Sequence, residues 1–317
     1  MKSAPTQFDV KQSQGEGRVQ VTRSFTLQSA VQNSGAVAYV FLLPSLVFLA
    51  VFTLWPIVSV IWSSFRTRQG REQVFVALQN YERLFTDPII QQVLKNTLFY
   101  VTAGVGFAVI GGLLLALLLN QGLRNIGFFR FPFLATIALP MVSVASIWLF
   151  LYSPRVGLFN EILAGLGLPL SNWLNGRELA LPALFVVYLW KQLGYFALFY
   201  LAALQALPVD VLEAAKLDGI TLWQQLRFII WPLVSPTTYF VSTISVLGAL
   251  QQIDHVFVLT TGGPNNATNM SLFYVYEQGF KYFNIGTASA MTVILLAVLM
   301  TMAILQFVYL ERRVHYD

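Results

Sequence analysis

Residues 38–62 read AYVFLLPSLVFLAVFTLWPIVSVIW, without one charged side chain. The stretch is longer than the roughly 20 apolar residues that cross a hydrocarbon layer about 30 Å thick. A backbone inside lipid has no water to bond, so its polar groups must be satisfied within the segment itself. This stretch is therefore predicted to form a transmembrane helix.

Five further intervals along the chain are almost free of charge. Each is long enough to cross the membrane by the same argument. Lys191 is the only charged residue inside any of them. The sequence therefore predicts an all-α membrane protein with six transmembrane helices. The five intervals lie between Lys95 and Arg124, Arg130 and Arg155, Glu178 and Asp210, Arg227 and Asp254, and Lys281 and Glu311.

The composition excludes most other classes of protein. Of the 317 residues, 56% are hydrophobic and only 10% are charged, whereas a soluble domain carries about a quarter charged residues. A soluble enzyme, a disordered chain and a coiled coil are therefore excluded. The absence of cysteine removes thiolate catalysis, disulfides and cysteine-ligated metals. The net charge of +5 is attributed to lysine and arginine on cytoplasmic loops rather than to a nucleic-acid partner.

The first 35 residues differ from the rest of the chain. They are polar, with Gln, Ser, Gly and scattered charge, so residues 1–35 are predicted to be a disordered cytoplasmic tail. Residues 36–317 are predicted to be one six-span domain, whose first span is kept as a signal anchor. An even number of spans places both termini on the same side of the membrane. With both termini in the cytoplasm, ten basic residues lie inside and eight outside, which slightly favours this orientation.

The polar segment 208–232, between the fourth and fifth spans, predicts two short helices. The spacing Asp210-x-x-Glu213 is that of a capping box at a helix start. Gly219 is a natural left-handed helix stop, and Thr221-x-x-Gln224 repeats the start signal. The residues alone leave two interpretations open: a helix that docks into another protein, or an interfacial helix that lies on lipid.

The same segment carries a family resemblance. Glu213-Ala214-Ala215, then three residues, Gly219, nine residues and Ile229-x-x-Pro232 resemble the EAA loop of ABC-importer permeases. That family's consensus has leucine where this chain has Trp231. The resemblance implies a MetI-like permease fold and a cytoplasmic loop that docks the ATPase subunits, so both termini would be cytoplasmic. It gives the coupling role to Glu213, Ala214, Ala215, Asp218, Gly219 and Pro232.

Further motifs resemble the carbohydrate-type permeases, a group that includes the maltose and glycerol-3-phosphate importers. The resemblance implies a permease subunit of a binding-protein-dependent importer for a sugar or related polyol. Glycerol-3-phosphate or another non-sugar solute is the alternative. A secondary transporter would show repeats and paired intramembrane acids, and neither is visible. The motifs are Leu78-Gln-Asn-Tyr-Glu-Arg-Leu-Phe-Thr-Asp-Pro88 with Asn96-Thr97, Thr260-Thr-Gly-Gly-Pro264, Tyr276-Glu-x-x-Phe280 and Gly286-x-Ala-Ser-Ala290.

The resemblance also implies the partners. They are a second permease subunit in a heterodimer, a dimer of ABC ATPase subunits, and an extracytoplasmic solute-binding protein. The chain itself lacks a Gly-x-x-x-x-Gly-Lys-Ser/Thr phosphate loop, so it is predicted not to be an enzyme. The solute would cross the inner membrane by alternating access driven by the ATPase partners, and no cofactor is expected.

Candidate residues of the solute path lie in the fourth and fifth spans. A charge at mid-membrane is costly and usually functional, so Lys191 is a candidate for lining the path. The alternative is a structural role, in which its side chain extends toward the membrane surface or its charge is paired at a subunit interface. Similarity to the maltose permease subunit places Leu193, Gly194, Ser245 and Gln252 beside bound sugar, and hydrogen bonding between helices is the alternative role. His255 has no partner at ligand spacing, so no metal is expected. The candidate path residues are Lys191, Leu193, Gly194, Tyr195, Ser245, Gln251 and Gln252.

Overall fold

The computed structural model describes residues 35–69, 72–121 and 126–310. The predicted disordered tail, residues 1–35, lies outside these ranges except for Gly35. The chain divides into two compact units, one that ends at Pro56 and one that begins at Ile57.

The first predicted span is a helix with a wide turn inside it. Helix α1 (Gly35–Leu49) runs into a π-helical turn (Ala50–Leu54) and then into α2 (Trp55–Ser64). Pro56 has no N–H group, so it cannot make the i→i−4 backbone bond of a regular helix. The π turn directly before it accommodates the missing bond. The stretch that is long and apolar enough to cross a membrane is Phe41–Ser64.

A small assembly that the sequence did not predict follows this span. An antiparallel hairpin, β1 (Arg66–Gln69) and β2 (Glu72–Phe75), precedes the short helix α3 (Gln79–Thr86). The buried side chain of Asn80 donates from Nδ2 to the carbonyl oxygens of Ser64 and Arg66, at 2.7 and 2.9 Å. One amide of α3 therefore holds the start of the hairpin.

The second and third predicted spans differ in shape. Helix α4 (Pro88–Leu119) is continuous, and its N-cap Asp87 accepts a hydrogen bond of 2.8 Å from the Ile89 N–H. The third span consists of two helices, α5 (Ile126–Ala138) and α6 (Met141–Leu151), bent by 109°. Pro140 lies between them in an extended conformation, where it cannot continue the bonding of α5. The predicted number of six spans holds when this broken pair is counted as one.

The rest of the described chain alternates connections and spans. Helix α7 (Leu158–Gly165) precedes the fourth span, α8 (Ala180–Gln205). The fourth span is joined to the fifth by α9 (Val209–Leu217), α10 (Leu222–Gln225), a π turn (Leu226–Ile230) and α11 (Trp231–Leu233). The fifth span is α12 (Ser235–Gln251), continued by α13 (Asp254–Leu259). Helix α14 (Ser271–Tyr276) and a π turn (Glu277–Lys281) lead to the sixth, α15 (Ile285–Leu310).

Helix α8 is packed against α4, α5 and α12. Small residues allow the close approach. At Gly112 of α4, an added Cβ would lie 3.1 Å from Cβ of Phe196 and 3.3 Å from the ring of Tyr200. At Gly194 of α8, an added Cβ would overlap the carbonyl oxygen of Phe133 in α5. Glycines on both helices therefore set how closely the central spans pack.

Two sequence motifs that are far apart along the chain, those that contain Asn96 and Glu277, meet in one buried polar network. Asn96, near the start of α4, donates from Nδ2 to the carbonyl oxygens of Asn266 and Asn269, at 3.0 and 2.9 Å. Asn269 in turn donates to Glu277 Oε2 at 2.8 Å. Lys281 forms an ion pair of 3.2 Å with Glu277 Oε1, and its pKa is raised because its ammonium donates this hydrogen bond. The connection between the fifth and sixth spans is thus fixed to the second span.

Candidate functional site

The predicted helix–glycine–helix arrangement of segment 208–232, which we call the coupling segment, is present. Helix α9 ends at Leu217, and Gly219 follows with φ +67°. The Ile220 N–H reaches back to the Ala215 carbonyl at 3.4 Å, the long-range bond of a Schellman helix end. Thr221 and Gln224 form a complete capping box at the start of α10. The local signals of the sequence therefore fold as expected.

The predicted start of α9 is wrong by two positions, because Asp210 as the N-cap would make Val211 the first helical residue. The helix begins at Val209, so Asp210 lies inside its first turn and is not the N-cap. Glu213 consequently lies in the second turn, where it is exposed. Pro208 directly precedes Val209, and its fixed φ favours a helix that begins beside it. This local effect outweighs the capping signal of Asp210.

The coupling segment presents a mixed polar and apolar surface. Glu213, Ala214, Asp218 and Gly219 are exposed, whereas Ala215 is only 4% exposed. Large apolar side chains are exposed around them, and such patches on a protein usually mark contact with another protein or with lipid. Pro232 is exposed at the start of α11, after the π turn. The most exposed of these apolar residues are Leu217, Leu222, Trp223 and Phe228.

A second set of polar groups lies between α4, α8 and α12. The side chain of Tyr188 is fully buried, and its hydroxyl neighbours Ser245 and Gln192. Neither the Tyr188 nor the Ser245 hydroxyl makes a hydrogen bond of good geometry. An added Cβ at Gly248 would lie 3.6 Å from Tyr188 Oη and 3.8 Å from Gln192 Nε2. A glycine thus leaves space beside polar groups that have unused hydrogen-bonding capacity.

This polar cluster, Tyr188, Gln192 and Ser245, contains two residues that the sequence analysis did not single out. Tyr188 and Gln192 are four positions apart and share one face of α8. This four-residue spacing of two polar-tipped side chains in an apolar span is the sequence signal that could have identified them. Gln252, a predicted residue of the solute path, is the C-cap of α12 and has a buried Oε1 without a hydrogen-bond partner. Ser245 and Gln252 are the predicted path residues with unused polar atoms.

The other predicted path residues do not belong to the polar cluster. Lys191 is 8% exposed, and its ammonium donates to the Ile137 carbonyl of α5 at 3.3 Å. Gly194, one turn further along α8, also faces α5. Leu193 faces Gly111 of α4, and Tyr195 packs edge-on against the ring of Phe199. Gln251 is exposed. The assignment of these residues to the solute path stays a prediction.

The expectation that Lys191 is the only charge inside a span is wrong. Arg130 lies within α5, and its guanidinium donates from Nε and Nη2 to the Leu119 carbonyl, at 3.1 and 2.8 Å. Asp254 lies within the fifth span, at the start of α13. Lys95 likewise lies within α4, the second span. The sequence placed all three residues at interval ends, because it could not show that the helices continue past them.

His255 is fully buried, and its Nε2 lies 2.6 Å from the Tyr100 hydroxyl. Across the described ranges, no three His, Cys, Asp or Glu side chains come together as a possible metal site. The role that the structure gives to His255 is therefore a polar contact between α4 and α13.

Comparison with known proteins identifies the family. A family model described as the binding-protein-dependent transport system inner membrane component matches residues 108–316. The chain belongs to this family. It is therefore a multi-pass inner-membrane permease of a binding-protein-dependent importer, which confirms the predicted family and class of function.

Named relatives agree with this assignment over almost the full length of the permease. This chain is 31% identical over 291 residues to the probable ABC transporter permease protein YurN of Bacillus subtilis. The aligned region covers 89% of this chain and 98% of that protein. The chain is 32% identical over 285 residues to the sn-glycerol-3-phosphate transport system permease protein UgpA of Yersinia pestis, covering 88% and 95%.

Solved structures confirm the fold. The permease matches a chain of a bacterial ABC transporter involved in the import of the acidic polysaccharide alginate, with a TM-score of 0.78 and 22% identity. The match covers 91% of this chain and 99% of that one. A chain of the MetNI methionine ABC transporter matches with a TM-score of 0.52 and 16% identity. The predicted MetI-like, six-span fold is thereby confirmed.

Proposed function

We propose that the permease is the transmembrane subunit of an importer for a sugar or related polyol. In this proposal it forms the path with a second permease subunit in a heterodimer. It receives the solute from an extracytoplasmic binding protein, and it is driven by a dimer of ATPase subunits. The observation that carries the proposal is the coupling segment, a preformed and exposed helix–glycine–helix in the connection where the family resemblance places the ATPase contact.

The solute class is proposed from the relatives and from the polar cluster. Relatives are named for sn-glycerol-3-phosphate transport, and a structural neighbour imports alginate, so a polyhydroxylated solute is common to both. The buried hydroxyl groups of Tyr188 and Ser245 and the half-buried amide of Gln192 could exchange hydrogen bonds with sugar hydroxyls. The tyrosine ring offers an apolar face for C–H groups. Glycerol-3-phosphate remains the alternative solute.

Coupling would work through α9. Glu213 on this helix is exposed and would contact the ATPase, and the small side chain of Ala214 leaves room for an ATPase groove to come close. Gly219 turns the chain after the helix. Closure of the ATPase pair on ATP would move the docked helix and switch the path between outward and inward access. In this proposal the coupling segment, and with it both termini, lies in the cytoplasm.

The solute class is tested by uptake. Cells that express the complete importer are given radiolabelled maltose, glycerol, glycerol-3-phosphate, an amino acid or a metal ion in separate assays. A strain with Ser245→Ala and Gln192→Ala in the permease is the comparison. We expect uptake of a polyhydroxylated compound, and we expect its apparent KM to rise in the comparison strain because two hydrogen-bonding groups are lost. Uptake of an amino acid or a metal ion in place of these compounds would contradict the proposed solute class.

The purified permease without partners is expected to hydrolyse no ATP. The reason is the absence of a phosphate-binding loop from its sequence. The measurement is phosphate release in detergent, with a mock purification from cells that lack the gene as the control. ATP hydrolysis that co-purifies with the permease through successive chromatography steps would overturn the prediction.

Cysteines placed at Lys191 and Gln252 are expected to react with membrane-impermeant thiol reagents. Polar side chains at mid-membrane need water, a partner or a solute, and the chain has no cysteine of its own. Val187→Cys is the matched control on α8, because Val187 is fully buried among apolar side chains and its cysteine should stay inert. Reaction rates are measured with and without ATP in the reconstituted importer. If both test positions remain as inert as position 187 in every nucleotide state, they do not line the path.

A further inference from the structure

A polar cavity of about 560 Å³ lies beside the residues that follow the first span and those that precede the sixth. We call it the hairpin cavity, because residues 67–69 of β1 form one wall. Gln79, Asn80 and Arg83 of α3 form a second wall, and residues 282–284 form the third. The lining includes two guanidinium groups, those of Arg68 and Arg83, and four side-chain amides, but no carboxylate. Its chemistry suits an anion.

The cavity lies at the level where lipid headgroups meet water. Residues 67–69 follow Ser64, the end of the first span, and residues 282–284 directly precede Ile285, the start of the sixth. Aromatic side chains mark the same level: the Arg66 guanidinium lies 4.7 Å from the ring centre of Trp62, and Tyr282 is exposed. Tryptophan and tyrosine prefer the membrane–water boundary. Phosphate groups of the surrounding lipids are therefore the abundant anions at this depth.

The walls of the cavity are held in place before any ligand binds. Asn80 is fixed by its hydrogen bonds to the carbonyls of Ser64 and Arg66. On the opposite wall, Phe283 has φ +54°, a conformation that a bulky residue adopts only when its surroundings impose it. The Asn284 N–H, which donates to the Gln278 carbonyl at 2.7 Å, supports this turn. The turn brings residues 282–284 to the arginine side chains.

Arg83 is the principal cation of the site. It is exposed on α3, and it makes no ion pair with any carboxylate in the described part of the chain. Its neighbours in sequence, Glu82 and Asp87, do not line the cavity, and the Asp87 carboxylate is engaged at the start of α4. Lys281, close to the third wall, is held by Glu277. Arg83 therefore contributes a positive charge to the cavity wall.

We propose that the hairpin cavity binds the phosphate group of an anionic phospholipid. A guanidinium group matches two phosphate oxygens with parallel hydrogen bonds, and the side-chain amides of Gln69 and Gln79 supply N–H donors for the remaining oxygens. The volume lies within the range of sites for small ligands. A lipid held there would connect the hairpin to the residues that precede the sixth span. The inference does not depend on the imported solute or on the ATPase contact.

The test uses the full-length permease reconstituted into vesicles of equal parts phosphatidylglycerol and phosphatidylcholine, then extracted into detergent. Native mass spectrometry counts the lipids that stay bound. We expect selective retention of phosphatidylglycerol, reduced about fivefold by Arg83→Gln, since one cation is removed near the membrane surface. Arg83→Lys keeps the charge but loses the paired hydrogen bonds, so it should be intermediate. Thermal unfolding in detergent verifies that each variant is folded.

Arg177→Gln is the matched control, because Arg177 is exposed, lies on the same side of the membrane and does not line the cavity. It should retain phosphatidylglycerol as the wild type does. Equal retention by wild type and Arg83→Gln would overturn the site, and so would equal loss in both glutamine variants. Inorganic phosphate is added in a second arm. If millimolar phosphate displaces the lipid, the site takes free phosphate and the assignment to a lipid is wrong.

Discussion

Replacing Gly219 by valine is expected to abolish solute uptake while the permease remains inserted and paired with its partner permease. Gly219 has φ +67°, and an added Cβ would meet no atom within 4 Å. The valine therefore causes no clash, but a β-branched residue at positive φ costs about 1 kcal/mol or more. The chain would relieve this strain by changing the turn, which moves α9 away from its docking position. The membrane core does not contact this site, so its fold should be spared.

Gly167→Val is the matched control for this experiment. Gly167 has φ +71° and also has nothing within 4 Å of an added Cβ, but it follows α7 at the opposite end of the spans. The same local strain there should leave uptake intact. Glu213→Lys tests the surface without strain, because it reverses an exposed charge on α9. Both coupling variants should lower the ratio of ATPase to permease in detergent pull-downs.

The outcomes separate the coupling proposal from a general defect. Loss of uptake with Gly219→Val but not with Gly167→Val supports it. Wild-type uptake and a wild-type ATPase ratio with Gly219→Val would show that the coupling segment does not transmit the ATPase movement. In that case the exposed apolar residues around it would be explained by contact with lipid.

Replacing Gly194 by alanine is expected to destabilise the fold strongly. An added Cβ would overlap the Phe133 carbonyl oxygen and lie 2.8 Å from the carbonyl carbon. Both atoms belong to the backbone of α5, so no side-chain rotation can relieve the contact. The helices must separate, and inserting a methyl group into a well-packed interior costs about 1–3 kcal/mol. We expect a lower midpoint of thermal unfolding in detergent and less monodisperse protein.

Gly106→Ala provides the control within a spanning helix. Gly106 lies in α4, and an added Cβ there would meet nothing within 4 Å. Alanine should leave stability unchanged or raise it slightly, because glycine is a poorer helix former by about 1 kcal/mol. If Gly194→Ala unfolds at the wild-type temperature yet loses uptake, then Gly194 acts in the solute path and not in helix packing.

The six spans and the coupling segment could be predicted from sequence because both depend on neighbouring residues. A span needs only enough consecutive apolar residues to cross the hydrocarbon layer, and the charge-free intervals supply them. The turn at Gly219 and the capping box of Thr221 and Gln224 are likewise local, since each satisfies backbone groups one turn away. The start of α9 was misplaced because two local signals, Pro208 and Asp210, compete there.

The path residues could not be assigned in the same way. The faces of a spanning helix are apolar whether they meet lipid or another helix, so hydropathy does not show which face is buried. Sequence reasoning therefore grouped Lys191 and Gly194 with Ser245, whereas the first two face α5 and Ser245 faces the polar cluster. Tyr188 was missed because its role depends on a glycine in another span.

What the sequence determined by itself is the number of spans, the family and the local form of the coupling segment, because each follows from composition or from contacts within a turn. Tertiary structure alone decided the contact of Gly194 with α5 and the network from Asn96 to Glu277. Each of these joins segments that are distant along the chain. Their geometry depends on how whole helices pack, and no stretch of neighbouring residues contains that information.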